Sequence, residues 1–147
     1  MLDQSIVGRE FAPFTVEVEK GRLRAFAKAI GEANPVYLDE AAAHAAGYPS
    51  LPAPPTFAFT IIMDAEQAFK VNEEFDIEVP KTVHGEQSFV YYRDICAGDV
   101  ICGRQKIVDF AEKKGGALQF VTTEISLANQ DGLPVCDLRT VVVVRNG

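Results

Sequence analysis

Among the side chains able to donate or take up a proton, Glu32 and Tyr37 stand on either side of an Asn34-Pro35 step. A carboxylate can orient a water or shuttle a proton. A phenol, with an ordinary pKa of about 10, is a poor base near neutral pH but a good hydrogen-bond donor. The plainer reading of the two is a solvated turn carboxylate and a packed aromatic. Asn34 before Pro35 is a turn former whose side chain bonds the backbone. His44 lies in an alanine-rich stretch, where solvation is expected. His84 opens a strand-like run, where a lone histidine is more often structural than chemical. Arg93 and Arg104 could meet a phosphate, although strand arginines usually pair with surface carboxylates. Gly115-Gly116 is a turn and not a phosphate loop, since no helix pattern follows it. Cys96, Cys102 and Cys136 are odd in number and lack a CxxC pair, so neither a disulfide framework nor a zinc site is indicated. Reduced thiols are expected, two of them packed as small hydrophobes.

The elements that must position these residues follow from periodicity. Phe14, Val16 and Val18 alternate with polar residues, which predicts a short strand. Leu23, Phe26, Ala27 and Ile30 fall on one stripe and predict a helix over 21–30, closed by Gly31. Asn34-Pro35 enforces an extended or turn segment. Asp39 is placed to cap a short helix ending at Gly47. A loop carrying Pro49, Pro52, Pro54 and Pro55 leads into the most apolar segment, 56–63. Its composition predicts a helix buried nearly all round, with Pro54 and Pro55 suited to the first turn. Beyond Thr82 the pattern becomes strands over 83–95, 99–111, 117–128 and 135–144, separated by Ala97-Gly98-Asp99, Lys113 to Gly116 and Gln130-Asp131-Gly132. This order predicts a meander of antiparallel strands. The run Val141 to Val144 predicts cover on both faces. An apolar helix and a curved antiparallel sheet must bury each other. The expectation is an α+β, hot-dog fold: a curved antiparallel sheet wrapped around a long apolar central helix, in a single domain spanning 1–147.

Composition is consistent with that. The chain has 147 residues, 48% hydrophobic and 24% charged, which is globular composition. A net charge of −7 without a basic run argues against nucleic acid and anionic membranes as partners. No signal peptide and no stretch of ~20 apolar residues is readable. A cytoplasmic location is expected.

The segment 29–39, with Gly31, Glu32, Asn34, Pro35 and Tyr37, is similar to the G-D-x-N-P-x-H signature of the MaoC-like (R)-specific enoyl hydratases and 3-hydroxyacyl dehydratases. Ala53-Pro54-Pro55-Thr56-Phe57 resembles the approach to that family's central helix in its N-terminal-type domains. His84-Gly85-Glu86-Gln87 and Ala97-Gly98-Asp99 resemble their strand and turn signals. The four motifs occur in the family's order and cover nearly the whole chain.

The resemblance implies chemistry on 3-hydroxyacyl or enoyl thioesters of coenzyme A or acyl carrier protein, with no metal or organic cofactor. The α-proton is removed and the β-hydroxyl protonated as it leaves, with a backbone N–H at the start of the central helix facing the carbonyl oxygen. The catalytic positions fall on Glu32 and Tyr37, which replace the family's Asp and His. Substrate-binding positions fall on Asn34, Thr56, Phe57 and His84. The longer Glu32 displaces its oxygens by about an ångström, which can cost roughly a hundredfold. The binding half of the site therefore reads as kept and the proton-transfer half as impaired, and enzymatic activity of hydro-lyase type is left open. One alternative is a non-catalytic, acyl-accommodating subunit paired with a catalytic hot-dog sibling. Another is a hot-dog acyl thioesterase, using Asp64 or Glu66. An antiparallel sheet leaves an edge to pair, so a homodimer or heterodimer is expected, with the 32–37 loop near the interface.

Overall fold

The computed structural model describes residues 1–146. Five antiparallel strands form one sheet in the order β1-β3-β4-β5-β2. They are β1 (Phe14–Glu17), β2 (Thr82–Tyr91), β3 (Val100–Lys113), β4 (Leu118–Ala128) and β5 (Pro134–Arg145). The expected meander holds for β3, β4 and β5, whose turns are short. It fails for β2, which pairs with β5 and not with β3. Ala97-Gly98-Asp99 does turn, but residues 92–99 cross the end of the sheet instead of closing a hairpin. That crossing is stitched to the proline loop by Ala53 N–H to Ile95 O (2.7 Å) and Ala97 N–H to Leu51 O (2.8 Å). Strand β2 therefore lies at an edge, with Val83, Val90 and Tyr91 exposed.

Helix α1 (Lys20–Ala29) buries Leu23 and Ala27, while Ile30 ends the helix and is exposed. Helix α2 (Glu40–Ala45) is capped by Asp39, whose carboxylate accepts from Ala42 N–H (2.9 Å). The central helix α3 (Phe57–Asp64) is only eight residues long. Its length is set by what precedes it. The N–H of Phe57 donates to Pro54 O (3.1 Å), and Thr56 has φ 73°, ψ −9°. That matches a type II turn with Pro55 at its second position and a non-glycine where glycine is usual. The two prolines thus build a turn ahead of the helix and not its first turn. Phe57, Ala58, Ile61 and Ile62 are buried, but Met63 is exposed, so α3 is not covered all round. Its uncovered flank faces the edge strand, where no further strand closes the sheet. A short fourth helix, α4 (Lys70–Glu74), follows; its one-turn length left no periodic signal.

The sheet's inner face carries two separate apolar clusters. One joins α3 to Ile101, Ile125, Leu127 and Leu138. The other joins Ile6, Val71, Ile107, Phe110 and Val121. In the first, Gly103 lies directly beneath the Phe14 ring, where a Cβ would come within 2.0 Å of Cζ. The outward Val141 and Val143 are only half-buried, because no second layer among the described residues covers them. Of the thiols, Cys96 and Cys136 are buried and Cys102 is exposed.

Candidate functional site

Two cavities flank α3. The first, about 370 Å³, opens at the helix start. Tyr37, Pro54, Ala58, Tyr91 and Arg93 line it. Tyr37 is delivered by the 3-10 turn Pro35–Tyr37, which Asn34 caps by accepting from Val36 N–H (3.1 Å). Burial, with Tyr48 and the Glu32 carboxylate nearby, pushes Tyr37 above its ordinary value. It is thus protonated at neutral pH and able to donate. Glu32 itself is not among the lining residues. Its carboxylate accepts from Asn34 N–H (2.8 Å), which holds the turn.

Tyr91 is the residue that sequence reasoning missed. Its hydroxyl oxygen accepts from the N–H of Thr56 at 2.8 Å. Burial also pushes its pKa up, partly offset by that bond. The backbone N–H expected to face a carbonyl oxygen is therefore already engaged, as is that of Phe57. What the site presents instead is the Tyr91 O–H, polarised by the helix start behind it. Alternation along β2 puts Gln87, Phe89 and Tyr91 on the inner face. That was legible, but nothing in sequence tied Tyr91 to a helix start 35 residues earlier. Arg93 donates to Pro134 O (2.9 Å) at the rim, and Tyr92 donates to Asp137 (2.7 Å).

The second cavity, about 270 Å³, lies along the side of α3. Phe59, Ile62, Met63 and Phe69 form apolar walls, with His84 at the β2 edge. The His84 ring lies 5.3 Å from that of Phe59. Phe57 points elsewhere: it is buried edge-on against Phe26, 5.4 Å between centroids. So the structure brings Tyr37 and the Thr56 turn together and puts His84 in a different cavity. Asn34 and Phe57 act in the turn and in the core. Arg104 lines neither cavity; it lies by a groove with Phe11, Lys106 and Glu124 that shares only Gln105 with the second cavity. Among the described residues, no group of His, Cys, Asp and Glu is arranged to hold a metal ion.

Residues 5–138 match the family described as FAS1-like, dehydratase domain region. The chain belongs to the MaoC-like hot-dog dehydratase family. A UPF0336 protein of Saccharopolyspora erythraea is 37% identical to this dehydratase-family chain over 145 residues, 98% of it and 92% of the relative. One from Thermobifida fusca is 34% identical over 145 residues, 98% and 94% of the two chains. Among solved structures, the C-terminally truncated HadBC (3R-hydroxyacyl-ACP dehydratase) complex of Mycobacterium tuberculosis is similar at a TM-score of 0.81 and 27% identity, covering 97% of this chain and 99% of that one. A MaoC-like dehydratase of which this chain covers 43% shares the fold, at a TM-score of 0.83 and 24% identity. No helix among the described residues is long and apolar enough to cross a membrane.

Proposed function

We propose that this chain handles 3-hydroxyacyl or enoyl thioesters of coenzyme A or acyl carrier protein as the acyl-accommodating partner of a second hot-dog chain, which supplies the base. The observation that carries this reading is the chemistry at the start of α3. Removing a proton next to a thioester carbonyl needs a base that titrates near the working pH. Neither histidine lines that cavity, and its Tyr37 is held protonated. The Tyr91 O–H and the turn behind it still offer a donor to a carbonyl oxygen, so binding survives where proton transfer does not. The cavity beside α3 takes the chain, and the exposed β2 edge takes the partner. The similarity to one chain of the HadBC complex favours pairing over solitary action.

A second reading, an enzyme in its own right, rests on the Glu32 charge lying near enough to raise the Tyr37 pKa. Neither carboxylate of the thioesterase reading lines a cavity beside α3: Asp64 is held by Arg22 at two points, and Glu66 is exposed beyond the helix end. The test is hydration of a short enoyl-coenzyme A by the purified chain, alone and co-expressed with a hot-dog chain carrying an intact G-D-x-N-P-x-H. The expected result is negligible turnover alone, a dimer by mass, and activity in the mixed complex that Glu32→Ala changes only modestly. Turnover by the chain alone that collapses in Glu32→Gln would replace the partner reading with the enzyme reading.

A further inference from the structure

The two apolar clusters under the sheet are separated by a polar row. Thr123 of β4, Thr140 of β5 and Gln87 of β2 stand side by side in register on the inner face, and Thr140 donates to Gln87 Oε1 at 2.7 Å. Gln105 of β3 stands one diagonal step away, opposite Ile125. Its side chain is buried, 4% exposed, and its Oε1 has no hydrogen-bond partner. Gln105, Thr123 and Thr140 all line the cavity beside α3, whose other walls are Phe59, Ile62 and Met63. An apolar slot with an unanswered amide at its floor is an unusual way to hold a plain hydrocarbon. A buried acceptor left unpaired is costly, and buried polar groups are otherwise paired.

We propose that this cavity selects an acyl chain bearing a hydroxyl remote from the thioester over the plain alkyl chain of the same length. The inference rests on the reading that the cavity takes the acyl chain. A hydroxyl both donates and accepts, so it answers either end of the Gln105 amide as well as the Thr123 hydroxyl beside it. It is small enough to ride on a chain that fits the apolar walls. The hydroxyl is distinct from the β-hydroxyl of the reaction, because the polar row and the Tyr91 donor belong to different cavities. At about 270 Å³ the space exceeds the ~150 Å³ of an apolar cavity that stays dry and binds benzene. One ordered water bridging Gln105 and Thr123 is the rival occupant.

The experiment titrates the purified chain with decanoyl-coenzyme A and with its hydroxydecanoyl isomers, the hydroxyl moved stepwise from C5 to C10. In parallel, 1-hexanol and hexane are added while the side-chain amide signals of Gln105 are followed by NMR. At least one hydroxy isomer is expected to bind roughly tenfold more tightly than decanoyl-coenzyme A, since losing a paired hydroxyl leaves the acceptor buried and bare. Gln105→Leu should abolish or invert that preference. Equal affinity for all the thioesters overturns the selectivity and leaves the thioester reading standing, with water as the floor's partner. If no coenzyme A thioester binds, the coenzyme A form of that reading fails for the chain alone, and the alcohol pair decides the cavity. Hexanol favoured over hexane, with the Gln105 signals shifted, upholds the selectivity; no preference overturns it. The wild-type comparisons decide the matter even if Gln105→Leu does not fold.

Discussion

The two cavities beside α3 differ in where their hydrogen bonds go. At the helix start the polar groups answer one another: Thr56 N–H to Tyr91, Asn34 N–H to Glu32, Val36 N–H to Asn34. Along the helix side, an apolar slot ends on an amide oxygen with no answer at all. The end where the family resemblance expects proton transfer is thus settled into itself, and the end that would hold a chain is unfinished.

Both cavities hang on one short helix, and breaking it gives the largest expected effect. Ile61 is 1% exposed on the side of α3 that meets the sheet. Ile61→Ala should cost about 2–5 kcal/mol, read as a fall in melting temperature and denaturant midpoint. Ile61→Asp, which buries an unpaired charge, should yield no soluble protein. A small change for Ile61→Ala would mean the two cavities do not share a rigid wall.

Smaller effects should separate the two ends. Tyr91→Phe removes the oxygen that receives the Thr56 N–H and should cost about 0.5–1.5 kcal/mol. It should also weaken thioester binding if the Tyr91 O–H is the carbonyl donor. Unchanged affinity, or a gain, would hand that role back to the backbone N–H. Thr56→Gly relieves a left-handed backbone that disfavours a β-branched residue, offset in part by glycine's entropy. A net gain of about 0.5–1 kcal/mol in chemical denaturation is expected. A loss would mean the threonine side chain holds the turn in some other way.

The mildest test is pH. Burial pushes the Cys96 and Cys136 thiols from about 9 up to about 11. Cys136 lies across from Tyr91, and Cys96 follows Ile95 of the first cavity, so both thiols belong to that end. A raised thiol pKa means the unfolded chain sheds protons first. The contribution is therefore fully present below about pH 9 and lost as pH rises toward about 11. Denaturation midpoints should fall across that window, and less steeply in Cys136→Ala. Identical slopes would place the alkaline loss elsewhere in the molecule.

Much of this molecule was determined by local sequence. Alternation marked the strands, Asp39 and Gly31 bounded helices, and the order of the motifs around Asn34-Pro35 and Ala53 to Phe57 pointed to the family, because caps, turns and periodicity act over a few residues. Glu32 and Tyr37 were legible as candidates on one turn through that resemblance, but only Tyr37 reaches the cavity, while Glu32 holds the turn. Tertiary structure alone decided the rest. It paired β2 with β5, since strand partners are chosen by which apolar faces can be buried together and not by which loop is shorter. That choice put Tyr91 over the Thr56 turn and His84 beside Phe59, so the two residues of one strand serve different cavities. It also brought Gln105, Thr123 and Thr140 from three strands to one floor. No periodicity within any one of them could announce that row, because its meaning lies in register across the sheet.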